Sequence, residues 1–270
     1  MDSPHSSVPS PDDLFSLTRH LLASMDRLDA LRRQRGSAAD RLAYTVRTAD
    51  AMHRTSLLAS RLLARTALSD APTTTDGLRA IALLRRLTEA TTSATGHVTD
   101  AISALAHGDT KASDRLLGQT RAALARTPVA VQDVGAALLR HDGFLYAQDR
   151  AARDPTVTGS AAVKVSEAQR KGLAAFARGD AVLRDAYSGG LEVVTPLDAH
   201  LRASTIDALV AKKLVDLVPL PGQPSRYGAQ LTSSGVRTIL EASPVLALPT
   251  AVPRPAAARP GTSRPAGARR

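Results

Sequence analysis

Up to residue 153 the chain repeats one pattern: apolar positions three and four apart, set among charges and hydroxyls. Leu14, Leu17, Leu21, Met25, Leu28 and Leu31 form one such stripe, the signature of a helix with one buried face. Ser10-Pro11-Asp12-Asp13 opens it with an N-cap, a first-turn proline and acids at the positive end of the helix dipole. Arg32, Arg33 and Arg35 fill its last turn and Gly36 ends it. A second helix is expected over 38–66, burying Leu42, Val46, Ala49, Leu57, Leu58, Leu62 and Leu63. A third, over 76–106, uses Leu78, Ile81, Leu84, Leu87, Val98, Ile102 and Leu105, and its small, hydroxyl-rich middle at 90–96 predicts weakening or a kink. Helices over 111–126 and 128–153 follow. Long amphipathic helices joined by short turns predict an antiparallel bundle spanning 11–153, preceded by a disordered leader, 1–10.

The pattern then changes. Residues 154–165 are polar and rich in Pro, Gly and Ser, and read as a linker. Ser166-Glu167-Ala168-Gln169 is a capping-box start for a helix to about residue 178, with Leu173 and Phe176 inward. Two alternating stretches, 181–187 and 191–195, flank Ser188-Gly189-Gly190 and predict a hairpin. Next comes LRASTIDALVAKKLVDLVPLPGQPSRYGAQLTSSGVRTILE, residues 201–241. Ser204 fits an N-cap and Asp207 completes a capping box, with Ile206, Leu209 and Val210 on the buried face. Strands over 214–220 and 227–231 enclose the Pro/Gly turn 221–226, and a last helix opens at Ser233-Ser234-Gly235. This second domain, 166–243, ends in a tail, 244–270, whose prolines and small residues predict disorder.

STIDALVAKKLV, a short Pro/Gly turn and then LTSSG together resemble the winged-helix regulators of the MarR and PadR type over about residues 166–242; the N-terminal helices resemble no family. The resemblance implies a DNA-binding fold and a role in transcription regulation, with no particular ligand or target. One departure stands out. The helix that precedes the recognition helix in that family falls on TPLDAHL, 195–201, which is either one helical turn or the far side of the hairpin.

A helix in the major groove needs donors and acceptors near its start and cations towards the phosphates. Arg202, Ser204, Thr205, Lys212 and Lys213 are the candidates on the helix. Arg226 at the turn suits a narrow minor groove, and Gln223 and Tyr227 can add backbone contacts. Asp207, Ala208 and Ala211 offer little base reading, so a protein-binding scaffold is the competing expectation.

Composition narrows the rest. The chain has 270 residues, no Cys or Trp and 3 % aromatics, so its core is built from Leu, Ala, Val and Ile, which favours helices over a sheet sandwich. The absence of Cys excludes disulfides and thiolate chemistry. The seven histidines show no metal-ligand spacing, and no P-loop, nucleophile elbow or dinucleotide fingerprint is present, so neither enzyme activity, a metal nor a cofactor is expected. The polar start differs from a signal peptide and no run is long enough to span a bilayer, which points to a cytoplasmic protein. Net charge is +10, and residues 249–270 carry five arginines (Arg254, Arg259, Arg264, Arg269 and Arg270) with no acid, a candidate cationic arm for nucleic acid. The expected fold class is thus mainly α: an N-terminal antiparallel helical bundle, a C-terminal α+β winged-helix domain and a disordered basic tail. Double-stranded DNA is the expected partner, with homodimerisation or effector sensing assigned to the bundle.

Overall fold

The computed structural model describes residues 8–33, 36–177, 179, 181–185, 190–193, 201–223 and 225–242. Residues 1–7, residues 186–189 (the end of the first hairpin strand and Ser188-Gly189 of its turn), most of TPLDAHL and the tail beyond 242 lie outside these residues. The described chain is mainly helical, with a small antiparallel sheet near its C-terminal end. No helix among the described residues is long and apolar enough to cross a membrane.

Five helices pack on one core: α1 (Pro11–Arg33), α2 (Ala38–Ala67), α3 (Thr75–Ala106), α4 (Thr110–Leu124) and α5 (Thr127–Arg153). α1 begins as its sequence dictates. Ser10 and Asp13 cap each other reciprocally, and Arg65 of α2 pairs with Asp13 at 2.8 Å. Residues 8–10, expected in the disordered leader, are instead placed against the fold: Val8 is buried and its carbonyl accepts a bond from Arg65. Leu14, Leu17, Leu21, Leu28 and Leu31 are buried as expected.

α2 departs from expectation. Its buried stripe is Thr45, Thr48, Met52, Thr55, Ala59, Leu62 and Thr66, while Val46 and Leu57 are 47 % and 43 % exposed. A threonine hydroxyl inside a helix can bond the carbonyl one turn back, which leaves its methyl as the outward surface. Thr45, Thr48, Thr55 and Thr66 all do this, at 2.7–2.9 Å. The hydroxyls are therefore satisfied within their own helix and fit in a core. α3 runs unbroken through 90–96, where the sequence predicts weakening, and the same bonds recur there: Thr88, Thr91, Thr95 and Thr99 each bond a carbonyl four residues back.

α5 belongs to two cores. Val131, Val134, Ala137 and Leu138 pack with α1–α4, whereas Phe144 and Ala147, further along the same helix, join the second core. That core is completed by α6 (Thr156–Gly159), α7 (Glu167–Phe176), β1 (Val182–Asp185), β2 (Leu191–Val193), α8 (Ala203–Ala211), β3 (Val215–Pro219), β4 (Arg226–Leu231) and α9 (Ser233–Ala242). The strand order is β2-β1-β4-β3, antiparallel throughout. The expected linker, 154–165, is packed: Val157 is buried, Val163 and Val165 lie against the second core, and the Val163 amide donates to Thr238 Oγ1 at 3.0 Å. Its Pro, Gly and Ser suggest a free loop, but the interspersed valines give it a face to bury.

The two cores meet where α5 crosses α7. A Cβ added at Gly143 would lie 2.7 Å from Ala174 Cα, closer than any side chain tolerates. Gly143→Val is therefore expected to push the helices apart and cost about 1–3 kcal/mol in a chemical denaturation measurement, as overpacking does. Asp13 yields a test by pH. Burial works to raise its pKa, but the bonds from Ser10 and the Arg65 guanidinium outweigh this and hold its carboxyl below the ordinary 3.8. A lowered folded-state pKa gives stability that is present above the ordinary value and lost as pH falls through the folded one. The destabilisation caused by Asp13→Asn is accordingly expected to be full near neutral pH and to shrink below about pH 4, measured as the wild-type-minus-variant difference in unfolding free energy.

Candidate nucleic-acid interface

α8 is short, and backbone ties hold it. Its C-terminal end closes with two bonds, Leu214 N to Leu209 O at 3.0 Å and Lys213 N to Val210 O at 2.8 Å. This is the Schellman arrangement, with Lys213 in the left-handed conformation (φ 54°) and Leu209 and Leu214 both fully buried. The LTSSG motif fastens onto this turn. Thr232 donates its amide to Leu214 O and its hydroxyl to Lys213 O, and Thr232 Oγ1 accepts from Gly235 N, capping α9. Leu214 O lies so near α9 that a Cβ at Gly235 would sit 2.2 Å from it. Thr and Gly at these two positions thus join α8, β3, β4 and α9 at one point.

The expected contact residues divide. Arg202, Ser204 and Lys213 are exposed, and neither the Arg202 guanidinium nor the Lys213 ammonium has a partner among the described residues. Ser204 is not the N-cap: the helix opens at Ala203 with Arg202 in the cap position and no side-chain cap bond, which leaves Ser204 within the first turn. Thr205 is half-buried, its methyl turned towards Gly172 of α7. Lys212 is exposed, yet its ammonium bonds Lys164 O at 2.9 Å and Gln169 Oε1 at 3.1 Å, tying α8 to the connector and to α7.

Arg226, expected in the turn, is instead the first residue of β4; it is exposed and donates to Gln223 Oε1 of the turn at 3.0 Å. Strand alternation puts Tyr227 on the side of the buried Ala229 and Leu231, and Arg226 on the open side with the exposed Gln230. The Tyr227 hydroxyl reaches Asp185 Oδ2 at 3.5 Å, at the edge of hydrogen-bonding range. Arg226 stands opposite Arg184 in the sheet register, and Glu192 pairs with Arg184 and offsets that repulsion. With Asp207 also exposed, the surface carries both signs of charge.

A second polar cluster escapes a motif search altogether. Arg140 and His141 interrupt the apolar run of α5 and are both buried. Arg140 pairs with Asp76 at 2.8 Å and with Glu167 at 3.0 Å. His141 Nδ1 lies 2.8 Å from Thr74 Oγ1 and Nε2 lies 3.2 Å from Asp70 Oδ1. Thr74 and Asp70 thus engage both ring nitrogens of His141. The Thr74 end of this Thr–His–Asp row is buried, at 1 % exposed, and its oxygen also caps α3 by accepting from Gly77 N, while the Asp70 side chain at the other end is 30 % exposed. The row links the start of α3 and the turn before it to α5. The only sequence signal was two polar residues inside an apolar run. No group of three His, Cys, Asp or Glu residues that could hold a metal occurs among the described residues.

Gly235→Ala tests the junction between α8 and α9. Its methyl would displace Leu214 O, for an expected loss of about 1–3 kcal/mol, and Thr232→Val, which removes the cap oxygen, is expected to cost about 1 kcal/mol; both are read from denaturant midpoints. Comparison of the chain with protein-family models, with curated proteins and with solved structures gives no match.

Proposed function

We propose that residues 166–242 form a winged helix that binds double-stranded DNA, and that the chain is a transcription regulator whose N-terminal antiparallel bundle serves dimerisation or effector sensing. The observation that carries this reading is the connectivity of the second core. α7, β1, β2, α8, β3 and β4 follow in order, with β4 inserted between β1 and β3 and β2 on the outer edge of β1, so that α8 and the β3–β4 turn are consecutive elements. Apart from the added edge strand β2, that is the order of a helix, a strand, a recognition helix and a wing. Arg202 and Lys213 on the helix and Arg226 on the wing supply the cations a phosphate backbone attracts.

The chemistry favours backbone and wing contacts over base reading. Ser204, Asp207 and Ala211 are the exposed side chains along α8, and they present few of the donors that distinguish base pairs. Lys212 serves the fold, and Gln223 orients Arg226. A lone winged helix covers little DNA, and pairing two copies through the bundle would double the contact. A protein-binding scaffold is the second reading, favoured by the mixed charge around Asp207, Glu192 and Asp185.

A mobility shift on random-sequence duplex separates the two. Binding is expected at low salt, with Arg202→Ala and Arg226→Ala each weakening it and each lowering the salt slope by about one. Removal of residues 249–270 is expected to weaken binding and flatten its salt dependence further. No shift at low salt would end the DNA reading and leave the scaffold.

A further inference from the structure

The backbone enters the left-handed region at six described residues. Four are glycines (Gly108, Gly179, Gly190 and Gly222); the other two are Lys213 and Ser225. Both of the latter lie within the α8–β4 segment, one at the C-terminal turn of α8 and one in the turn before β4. A side chain in this conformation crowds the backbone, and glycine is the usual occupant of the position after a Schellman-closed helix. At Gly108, just beyond the end of α3, this chain follows that rule. At the end of α8 it keeps a lysine.

Nothing inside the fold requires that lysine's side chain. The ties at the turn use only its backbone: the amide goes to Val210 O, and the carbonyl accepts from Thr232 Oγ1. Its ammonium is exposed with no partner among the described residues, whereas the neighbouring Lys212 makes two bonds. Its Cα is held from both sides, by the helix closure and by Thr232, so a long cation projects from a fixed point at the edge of α8. A strained, rigidly placed residue whose side chain the fold does not use points to a use outside it.

Resting on the DNA reading above, we infer that Lys213 is a phosphate-contacting residue retained at the expense of stability. A phosphate is the fitting partner because the side chain is a compact point charge on a flexible stem, with no planar fork for reading a base. One structural alternative is a favourable interaction of the ammonium with the negative end of the α8 dipole. It predicts that losing the lysine leaves DNA binding untouched.

The test uses the full chain carrying Lys213→Gly, Lys213→Asn or Lys213→Arg, with thermal unfolding and duplex binding measured on each. Lys213→Gly relieves the strain and is expected to raise the unfolding midpoint by about 2 °C or more, while weakening binding several-fold and lowering the salt slope by about one. Lys213→Asn tolerates the same conformation without the charge, and binding is expected to fall likewise. Lys213→Arg is expected to bind as the wild type does. Unchanged affinity and salt slope in Lys213→Gly, beside a wild type that binds, would overturn the inference alone, as would a Lys213→Gly protein no more stable than the wild type. A wild type that binds no duplex overturns the DNA reading and this inference with it.

Discussion

At Gly143 the backbone of α5 comes so close to α7 that a single methyl group has no room, and this contact joins the two halves of the molecule. A helix normally serves one core. α5 serves two because its buried face continues from Val134 and Leu138, past Arg140, His141 and Gly143, to Phe144 and Ala147. Arg140, one turn earlier, adds a polar tie beside the apolar one. Its guanidinium is removed from water and depends on Asp76 from one half and Glu167 from the other. Burying a charge is costly unless it is paired, so such a group fixes an arrangement more than it strengthens it. Glu167 also pairs with Arg170, which donates to the carbonyl of Ala242 at the end of α9. A chain of charges therefore runs from the start of α3 to the last described helix.

The second core has a different kind of anchor. α8 has nine residues and only two fully buried side chains, Ile206 and Leu209, too little packing to fix its position alone. The backbone bonds at Lys213, Leu214, Thr232 and Gly235 make up the difference. They place the end of α8, the start of β3 and the start of α9 within one hydrogen-bonded turn. The DNA contact proposed for α8 gains from this, because rigid backbone positions side chains more narrowly than a loop does.

Much of this was legible in the residues and some was not. The leucine stripe of α1 and its Ser10–Asp13 cap could be read directly, because leucine has no competing use in a helix. The stripe of α2 could not. Threonine counts as polar in any hydropathy pattern, and only the bond from its hydroxyl to its own helix makes it a core residue. The segment 154–165 reads as a linker because its Pro, Gly, Ser and Thr suggest a loop, although Val157, Val163 and Val165 dock it. LTSSG was recognisable as a pattern, but its reason, a carbonyl where a Cβ would be, exists only in three dimensions. The two lysines at the end of α8 are identical by type and neighbours by number. A single step along the chain turns one to Lys164 O and Gln169 and leaves the other without a side-chain partner among the described residues, a difference no sequence pattern encodes.

The threonine-lined interior has a consequence for how near the helical half stands to the stability its shape allows. Each buried hydroxyl along α2 bonds a carbonyl that already accepts a backbone bond one turn on, so the hydroxyl is an extra donor to an occupied acceptor. Except at Thr55, whose Oγ1 also pairs with the buried Ser24 Oγ, its place could be filled by a methyl group without orphaning a polar atom. The hydroxyl stripe therefore marks a margin of unused apolar packing, and the five helices are held together by shape and spacing more than by the greatest burial available to them.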